Sequence, residues 1–216
     1  MMPLRIAVLI SGAGSNLLAI DDACRDGRIN ASVVGVIADR ATAAGLERAQ
    51  ARGLPTLALP LEAGESRAAQ ESRLLAALGA LQPDVVALAG YLRILSAPLI
   101  AAWSGPLLNI HPSLLPRHKG LHTHQRVLEA GDREHGATVH CVTAELDAGP
   151  AILQARLAVR GTDDATSLAK RVLRCEHVIY PTVLQWLATG RLQCAAGQPL
   201  LDGRPLREPV VQDFDV

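Results

Sequence analysis

Short apolar runs separated by amphipathic stretches constrain this chain more than any other feature of it. Leu4–Ile10, Val33–Ala38, Val85–Ala89 and Leu107–His111 are rich in Val, Ile and Leu, with scarcely a polar residue among them. A strand with one wet face alternates in polarity, whereas a strand apolar on both sides is covered on both sides. Between these runs lie stretches of helical periodicity: Leu17 to about Gly27, Ala43–Ala51, and Ser66–Leu81, which Pro83 halts. Pro55–Leu59 reads as one more short strand. This alternation predicts an α/β fold with a mostly parallel, twisted sheet of about seven strands and helices on both faces.

The second half changes character. Ala137–Thr143 and Ala151–Val159 are extended runs joined by Glu145-Leu146-Asp147-Ala148-Gly149-Pro150, which predicts an antiparallel strand pair around an irregular loop. Asp163 or Asp164 caps a long helix reaching about Leu187 and ended by Gly190. Leu201-Asp202-Gly203-Arg204 has the form of a small hairpin, and the last residues are expected to be mobile. Without repeats, linkers or low-complexity segments, residues 1–216 read as a single domain. It has a Rossmann-like phosphate-binding subregion (1–105), a catalytic subregion (106–190), and a small hairpin and tail (191–216).

Composition narrows the function. The 21 Lys and Arg residues balance 21 Asp and Glu, so the basic face of a nucleic-acid binder is not expected. No apolar stretch reaches transmembrane length, and Ile6–Ile10 is too short for a signal-peptide core. Cys24, Cys141, Cys175 and Cys194 are scattered, with no CxxC pair. They read as free thiols of a cytoplasmic protein rather than as zinc ligands or a disulfide framework. No metal is expected. Monomer and homodimer both fit the sequence.

The segment Leu108-Asn109-Ile110-His111-Pro112 points to chemistry. Residues i and i+2 of a strand face the same way, so Asn109 and His111 can reach one reacting centre. The amide can stabilise an oxyanion and the imidazole can move a proton near neutral pH. That pairing fits acyl-group chemistry. Asp147 is either a turn former or the carboxylate that orients His111 and favours its cationic form.

Gly12-Ala13-Gly14-Ser15-Asn16 lies between a strand and a helix, where backbone N–H groups suit an anion. A capped tight turn explains the same residues. A dinucleotide site would want a third glycine, but position 17 is Leu, and only Asp39 approximates the acid expected after the second strand. Ser15 and Asn16 favour a monophosphate. Of the seven histidines, His118, His122, His124 and His135 read as solvated, with His122 and His124 able to line a pocket mouth, and His140 reads as a packed and hydrogen-bonded core residue. Arg67 reads as a solvent-facing charge. Arg93, among apolar residues, reads as paired with an interior carboxylate.

Taken together, Ser11-Gly12-Ala13-Gly14-Ser15-Asn16-Leu17, Gly90-Tyr91-Leu92-Arg93-Ile94-Leu95, Asn109 to Pro116, Gly120-Leu121-His122-Thr123-His124 and Glu145 to Pro150 resemble, in this order, the phosphoribosylglycinamide formyltransferases. These are folate-dependent enzymes of purine biosynthesis, and the resemblance runs from Ile6 to about Arg191. It implies a catalytic trio of Asn109, His111 and Asp147, with Asp147 acting on His111 through an ordered water. It implies that Gly14, Ser15 and Asn16 hold the phosphate of glycinamide ribonucleotide, and that Glu176 and Arg171 contact that substrate. For the co-substrate 10-formyltetrahydrofolate it implies Arg67, Leu92, Arg93, Ile94, Leu95, Asn109, Ala144 and Asp147. Leu92 stands where methionine is common, Ala38-Asp39-Arg40 where Ser-Asn-Lys is usual, and Leu173 where polar residues are frequent.

Methionyl-tRNA formyltransferase and formyltetrahydrofolate hydrolase share the Asn-His and Asp pattern. The first is expected to carry a further C-terminal domain and a basic tRNA surface, the second an added N-terminal domain. A non-catalytic nucleotide-binding module is the rival from another class, and it leaves Asn109, His111 and Asp147 without a role.

Overall fold

A computed structural model of the chain describes residues 2–195 and 198–216. Strand β1 (Leu4–Ile10) leads into α1 (Ser15–Arg25), β2 (Ala31–Ala38) into α2 (Ala44–Ala51), and β3 (Thr56–Ala58) into α3 (Arg67–Leu81). β4 (Val85–Leu88), α4 (Ala97–Ala102) and β5 (Leu107–His111) follow. Then come α5 (Thr123–Glu129), the paired strands β6 (Glu134–Cys141) and β7 (Ala151–Ala158), and the long α6 (Ala165–Ala188). The chain closes with β8 (Leu192–Ala195), β9 (Gln198–Leu201), β10 (Arg204–Pro205) and β11 (Val210–Asp213).

The main sheet has eight strands in the order β11-β7-β6-β5-β4-β1-β2-β3. β6 alone runs against the others, antiparallel to β5 and β7. β8, β9 and β10 form a separate antiparallel sheet. The apolar alternation of β1 divides the core. Ile6, Val8 and Ile10 pack with Leu17, Ile20 and α6, while Ala7 and Leu9 pack with Leu74, Leu78 and Leu99 of α3 and α4. Helices therefore cover both faces, as expected. α6 starts at a capping box between Asp164 and Ser167, which satisfies first-turn N–H groups.

Two expectations change. The sheet has eight strands rather than about seven because part of the expected mobile tail becomes an edge strand. Val210–Asp213 pairs in parallel with Leu153–Arg156, and Asp213 accepts from Arg156 at 2.7 Å. An edge strand needs only one partner and little buried surface, so no apolar pattern announces it. α4 and α5 were not predicted either; at six and seven residues neither is long enough for a periodic stripe.

Candidate active site

The parallel strands end along one edge of the sheet. Strand order reverses between β1 and β4, and such switch points open a crevice beyond the carboxyl ends. A cleft of about 890 Å³ lies against this edge. Its lining includes Asn16 after β1, Tyr91 to Leu95 after β4, Asn109 and His111 of β5, His140 of β6, Asp147, and Glu176 of α6.

β5 delivers Asn109 and His111 to the cleft, and Ile110, between them, borders the cleft while packing into the core. The antiparallel register sets His140 opposite Asn109. His140 Nδ1 donates to the Cys141 carbonyl at 2.8 Å, leaving Nε2 as an acceptor; Asn109 Nδ2 lies 3.0 Å from it and donates. Burial holds the His140 pKa below the usual imidazole range, which favours this neutral tautomer. The Asn109 amide is thereby held in one orientation. His140 is buried and hydrogen-bonded as the sequence led us to expect, but its partner Asn109 was not foreseen, because strand register is not written in a single strand.

Asp147 adopts left-handed backbone at φ 48, a conformation that Asp tolerates better than most residues. Its Oδ2 accepts from the Gly120 N–H at 2.9 Å and lies 3.4 Å from His111 Nδ1. Carboxylate and ring are thus in direct contact, where an ordered water was expected between them. His111 Nε2 lies 3.0 Å from the His118 carbonyl. Both His111 nitrogens thus face oxygen atoms. The loop supplying that carbonyl is anchored: Ser113 Oγ donates to the Arg117 carbonyl at 2.7 Å, and His118 and Arg117 both engage Asp132. These partners hold the Asp132 carboxyl below its usual range.

At α1, Gly14 has φ 72, and a Cβ there would lie 3.0 Å from Gly45 Cα. The tight turn brings Ser15 to the first helical position, where backbone N–H groups have no intrahelical partner. Asn16 Nδ2 donates to Glu176 Oε2 at 2.6 Å, and Asn16 Oδ1 is buried without a partner among the described residues. Burial pushes the Glu176 carboxyl up to about 7.

Other candidates are placed as follows. Arg171 is not brought to the cleft: it pairs with Asp163 and donates to the Ala158 and Val216 carbonyls. Five residues from Glu176 is about 140° around a helix, which turns it away. Arg67 donates to the Ile94 carbonyl and to Glu71. Leu92 and Ile94 are exposed at the rim, and Leu95 is buried beneath them. Arg93 has its interior carboxylate, Asp39, at 3.6 Å and donates to Gln70 at 2.5 Å. Ala144 belongs to the Asp147 loop, but its neighbours Thr143, Glu145 and Leu146 are the lining residues. His122 and His124 do line the cleft. His135, expected at the surface, is buried against His124, with His124 Nδ1 and His135 Nε2 2.9 Å apart, and burial pushes its pKa down to about 3. Among the described residues no three His, Cys, Asp or Glu side chains gather as a metal site, and no helix is long and apolar enough to cross a membrane.

The chain is similar to known proteins over most of its length. Residues 4–184 match the family model described as Formyl transferase. Phosphoribosylglycinamide formyltransferase of Escherichia coli (strain K12) is 49% identical over 203 residues, covering 94% of this chain and 96% of that protein. The trifunctional purine biosynthetic protein adenosine-3 of Bos taurus is 43% identical over 88% of this chain, which spans only 19% of that longer protein. The structure of phosphoribosylglycinamide formyltransferase from Coxiella burnetii superimposes with a TM-score of 0.91 at 46% identity, covering 96% of this chain and 99% of that one. By family model, full-length sequence identity and fold together, the chain belongs to the formyl transferase family, among its phosphoribosylglycinamide formyltransferases.

Proposed function

We propose that this protein transfers the formyl group of 10-formyltetrahydrofolate to the amine of glycinamide ribonucleotide, as a cytoplasmic enzyme of purine biosynthesis built as one formyltransferase domain. One observation carries the site assignment: Asn109, His111, His140 and Asp147 line the same cleft as Asn16 and Glu176. The residues that act on the formyl group and those that hold the ribonucleotide then share one space.

The substrate amine attacks the formyl carbon. Its N–C bond forms, and the carbonyl electrons move to oxygen. The free N–H of Asn109 and an N–H of His111 stabilise that oxyanion; His111 Nε2 exchanges the His118 carbonyl for the formyl oxygen. Asp147 holds the charge and orientation of the ring. As the tetrahedral intermediate collapses, the bond to folate N10 breaks and the attacking nitrogen's proton passes to N10. Gly14, Ser15 and Asn16 hold the ribonucleotide phosphate at the start of α1, and Glu176 receives the glycinamide end. The apolar rim at Leu92, Ile94 and the 144–147 loop takes the folate, with Arg67 and Arg93 beside it.

The test is folate absorbance during incubation with 10-formyltetrahydrofolate, with and without glycinamide ribonucleotide. Turnover only with the ribonucleotide supports the assignment. Folate loss in its absence would make the protein a hydrolase.

A further inference from the structure

Two sulfurs meet where β6, the strand that carries His140, approaches β8. Cys141 Sγ of β6 and Cys194 Sγ of β8 are 3.8 Å apart, and both thiols are free. Cys141 is buried; Cys194 is partly exposed. Cys141 donates its S–H to Cys194, which lowers the Cys194 pKa and raises that of Cys141. The more accessible sulfur is therefore the more easily ionised one, the combination that reacts with oxidants.

The Cys141 backbone has little freedom. Its carbonyl accepts the His140 Nδ1 proton, and its N–H donates to the Pro150 carbonyl at 3.0 Å. Gly149 packs so closely that a Cβ there would come within 1.8 Å of the Cys141 oxygen. Bonding the sulfurs at ~2.05 Å draws them together by about 1.8 Å. That pull reaches the residue that fixes both the His140 ring and the exit of the Asp147 loop.

We propose that Cys141 and Cys194 are a thiol modification site, closing to a reversible disulfide under a hydroperoxide or a small-molecule disulfide, and that closure slows formyl transfer by displacing His140. With a hydroperoxide, the Cys194 thiolate attacks the terminal oxygen, an alcohol or water departs, and a sulfenic acid remains. The Cys141 sulfur attacks that sulfur, and its proton leaves with the hydroxyl as water. Two thiols lose two electrons and two protons, and one peroxide bond is reduced. With a small disulfide, two exchange steps give the same bond and release two small thiols. The effect on rate rests on the formyl-transfer reading; the bond itself does not.

The experiment treats the full chain with hydrogen peroxide or with glutathione disulfide. Non-reducing peptide mapping, thiol titration and the transfer rate are read before and after dithiothreitol. The expected result is one Cys141–Cys194 cross-link, two thiols remaining, and a rate about tenfold lower or more, given that ~1 Å of misplacement can cost a hundredfold. Dithiothreitol restores the rate. Cys194→Ser has unchanged activity when reduced and keeps it under oxidant. Four free thiols after treatment, or a cross-link through Cys24 or Cys175, would overturn the site. A cross-linked chain working at full rate would overturn the coupling to His140. A reduced wild-type chain without transfer activity would sink the functional reading, while the peptide map still decides the disulfide.

Discussion

His111 stands between two acceptors, and Asn109 has one N–H committed to His140. The ring therefore sits between a carboxylate and a carbonyl, beside an amide, where a developing oxyanion would lie. Removing one such donor typically costs ~2.7–4 kcal/mol of barrier. His111→Ala and Asp147→Asn should each lower kcat about 10²- to 10³-fold, with circular dichroism and melting close to wild type. A purified variant with near-normal turnover would refute the assigned roles. His140 acts through Asn109, so His140→Phe should lower kcat more than it raises KM. Combined with Asn109→Ala it should add little, because groups sharing one interaction are not additive. Full additivity in that double-mutant cycle would remove His140 from the site. Asn109 and His111 were legible because a period of two is local. Asp147 was legible only as one of two readings, and His140 was legible as a buried, hydrogen-bonded residue but not as the partner of Asn109, because that role arises from pairing between strands.

At the scale of elements, the strands were the most legible part. β1 and β5 run over the expected residues, since both faces of each are buried and the chain shows that directly. Irregular segments were less legible, because their shape is set by contacts made across the fold. The 142–150 loop illustrates this. The Asp147 carboxylate, the Cys141–Pro150 backbone bond and the Gly149 approach come from residues close in sequence, yet they aim one carboxylate at a strand more than 30 residues upstream. Gly149 has no substitute there. The Cβ of Gly149→Ala would overlap the Cys141 oxygen at 1.8 Å, so the loop must shift. Overpacking costs typically ~1–3 kcal/mol, which should appear as a lower melting temperature. The displaced carboxylate should also lower kcat by more than the modest stability loss explains. An alanine variant with wild-type kcat would show that the loop's position is not set by this approach.

Across the whole molecule, Glu176 joins α6 to α1 through Asn16, 160 residues away in sequence, at the crevice where strand order reverses. Burial sets its titration apart from the unfolded chain: about 7 folded against 4.5 as the ordinary value. Between those pH values the folded chain holds a proton that the unfolded chain has released. Stability from this group is thus fully present below 4.5 and is lost as pH rises through about 7. His135 has the opposite sign. Its folded pKa of about 3 lies below the ordinary 6.5, so its contribution is present above 6.5 and is lost as pH falls towards 3. The two slopes oppose each other between 4.5 and 6.5, leaving a plateau with a decline on either side. Glu176→Gln should remove the neutral-side decline and leave the acidic one. Denaturant unfolding of both proteins from about pH 4 to about pH 8 gives the difference curve directly. Wild type should lose stability relative to the variant between about pH 4.5 and about pH 7, and the difference should level off above that. The same buried proton couples ligand binding to pH: a substrate amine that ionises Glu176 must expel it. Calorimetry near pH 7 in buffers of differing ionisation enthalpy should therefore show proton release on ribonucleotide binding, absent in Glu176→Gln. A flat difference curve would mean that Glu176 ionises in the folded chain as it does in the unfolded one, and the carboxylate would then meet its substrate already charged.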